Sequence, residues 1–259
     1  MKNIKIKTLK FIFLFSAVIL LIWLISIAVA PYHKLNEIQK ITNQDSSLND
    51  KFDNIYYHNE LESLIKDKIY KESLLKLSEN DSIHLAINLV DSTVNLSIKG
   101  IFIHQAKIAN LKTDKFWNSL SIKEELKLFS RPLMVQSIYT TIVKEPVVVR
   151  EAPKDTLEAS LNAWKPDTLI QNPAYIMLQT EYNFRIIIEQ FENEPSFFNR
   201  VKLKFRNHLR FENLKESASN FLTFRRQEYI PTIIIELPTE DIRSIYRAIP
   251  TNTLIAIKM

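Results

Sequence analysis

Between positions 200 and 210 the chain sets Arg200, Lys202, Lys204, Arg206, His208 and Arg210 close together. Cationic side chains this dense can meet lipid head groups or an anionic cell-wall polymer, because the fields of neighbouring charges add over a surface. Read at a period of two, they line one face of a strand. Read at 3.6, Phe198, Val201, Phe205 and Leu209 form the apolar stripe of a helix instead. Residues 196–224 hold neither glycine nor proline, which favours the helix. The plainer alternative is a solvated amphipathic helix, with Glu192, Glu194 and Glu212 nearby to offset its charge.

A second set is His84 and His104 with Asp91, two imidazoles and a carboxylate of the kind that binds zinc. Their spacing matches no His-x-x-x-His or comparable pattern, and half-exposed strand histidines are ordinary, so no metal or other cofactor is expected. His33, His58 and His208 are isolated. The chain has no cysteine, which excludes a disulfide, a thiolate nucleophile and a Cys-type zinc site. Its single glycine, Gly100, excludes glycine-rich phosphate loops. No G-x-S-x-G, H-E-x-x-H or paired-carboxylate motif stands out among the 29 acids. Arg225-Arg226-Gln227 reads as a surface feature. The residues therefore predict a protein that is not an enzyme.

The element that must position everything else lies at the N-terminus. MKNIKIKTLK carries four lysines and no acid, and FIFLFSAVILLIWLISIAVA carries no charge. At 1.5 Å per residue, this run of about twenty residues reaches roughly 30 Å, the hydrocarbon thickness of a bilayer. Only Ser16 and Ser26 are polar, and a hydroxyl can bond back to its own helix. Trp23 lies deep for an interfacial anchor. Pro31 and Tyr32 are expected to end the helix. A cleaved signal peptide is the competing reading, since Ala28-Val29-Ala30 is an A-x-A site. Against it, the apolar run is long, and Pro31 after the site fits a peptidase cleft poorly.

Lys2, Lys5, Lys7 and Lys10 put the N-terminus in the cytoplasm, leaving the rest outside the plasma membrane. The net charge of +5 then reads differently. With four lysines on the inner flank, the other 30 of the 34 basic residues face 29 acids, a balance of +1. Bulk charge gives no support to nucleic acid as a partner. The expected organisation is a basic flank at 1–10, a transmembrane helix at 11–30, a linker with an amphipathic helix at 31–80, and an external domain at 81–259.

In the external part, 33–56 reads as a polar linker or broken helix. A helix is expected at 58–77, with an apolar stripe through Leu61, Ile65, Ile69, Leu74 and Leu77. Alternation then predicts a meander over 83–104, turning at Asp91-Ser92-Thr93 and at Lys99-Gly100. A helix is expected at 114–128, with Phe116, Leu120 and Leu126 buried, and strands at 138–149 broken by Pro146. A loop with a short helix follows at 151–170, then a hairpin around Glu181-Tyr182-Asn183. The chain closes with a strand at 232–237, a helix at 239–248 capped by Thr239, and a strand at 253–257. The fold class is α+β, a mostly β sheet with flanking helices.

The closing segment, IIELPTEDIRSIYRAIPTNTLIAIK, resembles the end of L,D-transpeptidase catalytic domains at Leu237, Thr239, Asp241, Ile242, Ile245, Tyr246, Thr253, Ile255 and Ile257. Asn88, Leu89, Leu96, Ile98 and Gly100 fit that family's opening hairpin loosely. The resemblance implies a cell-wall-facing domain in a bacterial envelope. It also implies that the family's nucleophilic cysteine falls at Ile234, its Ser-His-Gly at Pro231, Thr232 and Ile233, and its arginine at Glu236. Acyl transfer there needs a thiolate and a histidine to take its proton, and both are replaced. The expectation is a degenerate, non-catalytic domain that binds cell-wall polymer such as peptidoglycan or scaffolds envelope proteins. The alternative is a subunit of an envelope assembly or secretion complex, with helices 58–77 and 196–224 as partner surfaces.

Overall fold

The structure, a computed structural model, describes residues 2–43, 59–144, 173–191 and 196–259. Helix α1 (Lys2–Asn43) carries the apolar run. Its most apolar window has mean hydropathy 2.9 and is unburied, so the helix is long and apolar enough to cross a bilayer. Ser16 and Ser26 donate to the carbonyls of Phe13 and Trp23 at 2.9 and 2.7 Å, so neither hydroxyl is left unpaired on the helix.

Pro31 does not end this helix; it lies inside α1. A proline there removes one backbone hydrogen bond, but packing of a helix face outweighs such local terms. Ala30, Lys34, Ile38 and Thr42, four residues apart, are all buried against the body. Residues 31–43 thus belong to the folded unit and are not linker. The polar stretch that follows lies outside the described residues, as do Pro146 and the loop expected at 151–170.

Helix α2 (Asn59–Ser78) is followed by the meander β1 (His84–Asn88), β2 (Thr93–Ile98) and β3 (Ile101–Lys107). Next come β4 (Asn110–Thr113), helix α3 (Ile122–Phe129), β5 (Leu133–Thr140), β6 (Tyr175–Thr180) and β7 (Arg185–Gln190). The long helix α4 (Ser196–Leu222), strand β8 (Thr232–Leu237), helix α5 (Thr239–Ala248) and β9 (Leu254–Lys258) complete the chain. Among the described residues the strands make one mixed nine-stranded sheet ordered β3-β2-β1-β9-β5-β6-β7-β8-β4. The pairs β1/β9 and β7/β8 are parallel. Helix α4 is the crossover that the parallel pair β7/β8 requires.

The two end strands of that order, β3 and β4, are separated in the chain only by Ile108 and Ala109. The sheet must therefore fold over on itself, with residues 101–113 passing from one layer to the other. Strand β5 also serves both layers, pairing β9 through Leu133 and Met134 and β6 through Val135–Thr140. Between the layers lies the main core, including Ile87, Leu96, Trp117, Phe129, Val135, Ile186, Ile235 and Ile255. Helix α2 covers the outside of the first layer, where Tyr70 and Leu77 meet Ala86 and Ala256. Helix α4 covers the outside of the second, where Phe205 and Leu209 meet Tyr175, Met177 and Ile187.

Three local expectations are corrected. Residues 114–128 are not one helix: Asp114 and Trp117 are tied to β8 first, and α3 starts only where the Glu124 carboxylate accepts the Ser121 N–H. Thr239 does not cap α5. Pro238 holds that position, and Thr239 lies buried with its Oγ1 unpartnered. The strand expected from 138 begins earlier, at Leu133.

Candidate functional site

Strand β8 alternates, so Ile233, Ile235 and Leu237 enter the core while Thr232, Ile234 and Glu236 face outward. These three are the positions matched to the transpeptidase catalytic segment. The register sets rows across this outer face: Thr232 beside Arg185, Ile234 beside Ile187, and Glu236 beside Glu189. Strand β6 extends the rows with Gln179, Met177 and Tyr175. Strand β4 adds Lys112 beside Ile234 and Asn110 beside Glu236.

The last row holds two carboxylates on neighbouring strands, which the sequence reading missed. The signal was present as a repeat: RIIIEQ and TIIIEL both carry Ile-Ile-Ile-Glu, and parallel pairing aligns them residue for residue. Neighbouring strands are about 4.8 Å apart, so two such carboxylates need counter-charge. Helix α4 supplies it. Arg206 Nε donates to Glu189 Oε1 at 2.8 Å, its second arm reaches Oε2, and Lys202 Nζ lies 3.4 Å from Oε2. Glu189 is wholly buried, and this fork holds the Arg206 guanidinium above its ordinary value despite partial burial. Glu236 takes Asn110 Nδ2 at 3.2 Å and Lys112 Nζ at 3.9 Å.

Two of the five cations expected to form an anionic contact surface therefore point inward. A helix turns about 100° per residue, so a run that would share one face of a strand is dealt around α4. Lys202 and Arg206 neutralise the sheet, whereas Arg200, Lys204 and Arg210 are exposed. His208 leans on the Tyr139 ring, 4.6 Å between centroids, and pairs with Glu212.

At the position matched to the nucleophile, Ile234 packs into the cluster of Phe205 and Leu209 under α4. Thr232 offers a hydroxyl, but its Oγ1 donates to the Ile230 carbonyl at 3.0 Å. Its backbone is held as well: the N–H donates to Asp114 Oδ2 at 2.8 Å and the carbonyl accepts Trp117 Nε1 at 3.1 Å. Asp114 also accepts the Tyr229 hydroxyl, and burial beside that carboxylate pushes the phenol well up. Phe205, Leu209 and Arg206 of α4 thus lie over this face, against Ile234 and Glu189.

The histidine set does not converge. His84 lies on β1 and His104 on β3, with β2 between them. His84 Nδ1 accepts the Leu254 N–H at 3.3 Å, its Nε2 is buried without a partner, and burial pushes its pKa down. His104 Nε2 lies 3.0 Å from Asp241 on α5. Asp91 bonds Asn88 at the opposite end of β1 from His84. No cluster of three metal-ligating side chains occurs among the described residues.

A cavity of about 970 Å³ lies elsewhere, between the outer part of α1 and the body, lined by His33, Lys34, Arg225, Arg226 and Tyr229 among others. No protein-family model, curated protein or solved structure matches the chain.

Proposed function

We propose that this is a non-catalytic, membrane-anchored protein of a bacterial envelope, a degenerate L,D-transpeptidase-like domain that acts as a scaffold for other envelope proteins. In this reading α1 spans the plasma membrane with its N-terminus cytoplasmic, and the folded body stands in the periplasm or outside the cell. One observation carries the non-catalytic part: Phe205, Leu209 and Arg206 of α4 occupy the sheet face on which Ile234 replaces the nucleophile. The reading needs strand β8 and the β1–β3 meander in one sheet; both belong to the nine-stranded sheet, in its two different layers.

A domain whose own helix fills the face where a substrate peptide would lie has its remaining outer surfaces for partners. The test uses the full chain extracted from membranes. Stoichiometric envelope proteins are expected to co-purify, with no release or exchange of the terminal residue of a peptidoglycan stem peptide. Salt-sensitive sedimentation with isolated sacculi, without protein partners, would replace the scaffold by a wall-polymer binder. Turnover of a stem peptide would overturn the non-catalytic reading.

A further inference from the structure

Helix α4 is 27 residues long, about 40 Å, and its inward contacts with the sheet end near Asn213, which accepts from Arg185. The side turned away from the sheet repeats at three and four residues through Leu203, Asn207, Phe211, Leu214, Ala218 and Leu222. Phe211, Leu214 and Leu222 on this side are 67%, 54% and 76% exposed. Arg200, Lys204, Arg210 and Lys215 flank the stripe, all exposed. The helix's two acids, both exposed, lie off this stripe: Glu212 pairs with His208, and Glu216 lines the small cavity towards α1. An outer face with large apolar side chains and only basic charge is the pattern of a helix lying in a membrane interface.

Its position relative to α1 points the same way. Trp23 Nε1 donates to Ser217 Oγ at 3.1 Å, and Ile27 and Ala30 line a small cavity with Asn213, Leu214 and Ser217. Trp23 lies seven residues, about 10 Å, inside the outer end of the apolar run. A bilayer that covers α1 as far as Ala30 must therefore reach the part of α4 beside Trp23. At the end of α4, Phe224 takes a left-handed conformation with φ 54° and is 98% exposed, next to Arg225 and Arg226. A bulky residue there costs about 1–2 kcal/mol over glycine, a cost that points to use of the ring.

We propose that the outer face of α4 is a second membrane contact, lying on an anionic lipid surface beside α1 with Phe211, Leu214 and Leu222 in the interface and Lys204 and Arg210 at the phosphates. This rests on α1 spanning the bilayer, and the test separates the two. The chain lacks cysteine, so single nitroxide labels can be placed by Leu214→Cys and Leu222→Cys on the face, Leu20→Cys on α1, and Leu75→Cys on α2 over the other layer. The full chain is reconstituted in lipid nanodiscs with phosphatidylglycerol or with phosphatidylcholine alone, and relaxation by oxygen is compared with relaxation by a water-soluble nickel chelate.

Labels at 214 and 222 are expected to favour oxygen, as at 20 and unlike 75, and to lose that preference when phosphatidylglycerol is omitted. If 20 favours oxygen while 214 and 222 behave like 75, the anchor stands and the second contact is wrong. If 20 also behaves like 75, the spanning reading fails and takes this proposal with it. Immersion that is the same in both lipids would overturn the anionic recognition.

Discussion

Glu189 is the residue on which the closed face depends. A buried carboxylate is tolerated only with partners, and removing one member of a fully buried pair costs about 3–5 kcal/mol. Arg206 is 35% exposed and Lys202 remains after its removal, so Arg206→Ala should cost less, about 2–3 kcal/mol. Glu189→Gln keeps the shape and removes the charge, and in that background Arg206→Ala should cost markedly less. Urea midpoints of the four proteins read the coupling directly, and additive losses would mean that the pair does not act as a unit.

His84 makes the other residue-scale prediction. Burial pushes its pKa below the ordinary 6.5, so the unfolded chain binds the proton more readily than the folded one. Its contribution is intact above 6.5 and is lost as pH falls from there towards the folded value. The parent chain should therefore lose stability on acidification through that window more steeply than His84→Gln, which keeps an acceptor for the Leu254 N–H. Denaturation midpoints measured on either side of 6.5 give the comparison.

At the scale of elements, α4 as a cover is testable because no native thiol competes. A thiol introduced by Ile234→Cys lies under Phe205 and Leu209, so it should react with a maleimide far more slowly than one introduced by Ile101→Cys on the exposed edge strand β3. Adding Phe205→Ala should speed the thiol at 234. Equal rates at 234 and 101 in the parent background would mean that α4 does not shield the face.

The elements differ in how far the sequence discloses them, and the reason is the range of the interactions that set them. Alternation in 83–104 and in Thr232–Leu237 is a local pattern, and the strands lie where it puts them. The stripe of Val201, Phe205 and Leu209 likewise makes α4 helical. Strand β4 was not legible, because Asn-Leu-Lys-Thr alternates too briefly and is ordered by pairing with β8, more than a hundred residues on. The inward turn of Lys202 and Arg206 was hidden for the same reason: the charge they answer is on another element. The paired glutamates were legible in the repeated Ile-Ile-Ile-Glu, but only parallel pairing in that one register brings them together.

Across the whole molecule, the boundary between the apolar run of α1 and the body is a packed one. Leu35 and Ile38 join the main core, and Ile38 is 1% exposed. Removing a buried isoleucine side chain typically costs about 2–5 kcal/mol. A chain beginning at Pro31 keeps Leu35 and Ile38 and loses only Ala30 and the Trp23–Ser217 bond from the packed part, so it should unfold at a urea concentration only slightly below the parent's. One beginning at Gln44 should lose at least about that amount.

The same packing bears on whether the Ala30–Pro31 bond is cut. A peptidase needs its site extended, whereas this bond lies inside α1 with Ala30 buried and Pro31 half-buried against the body. Cleavage would also separate Trp23 from Ser217. Protein extracted from membranes should accordingly keep its full 30.4 kDa by intact-mass measurement. A mass lacking residues 1–30 would make the apolar run a removed signal, free the body from the membrane, and leave the outer face of α4 without the helix that holds it to a bilayer.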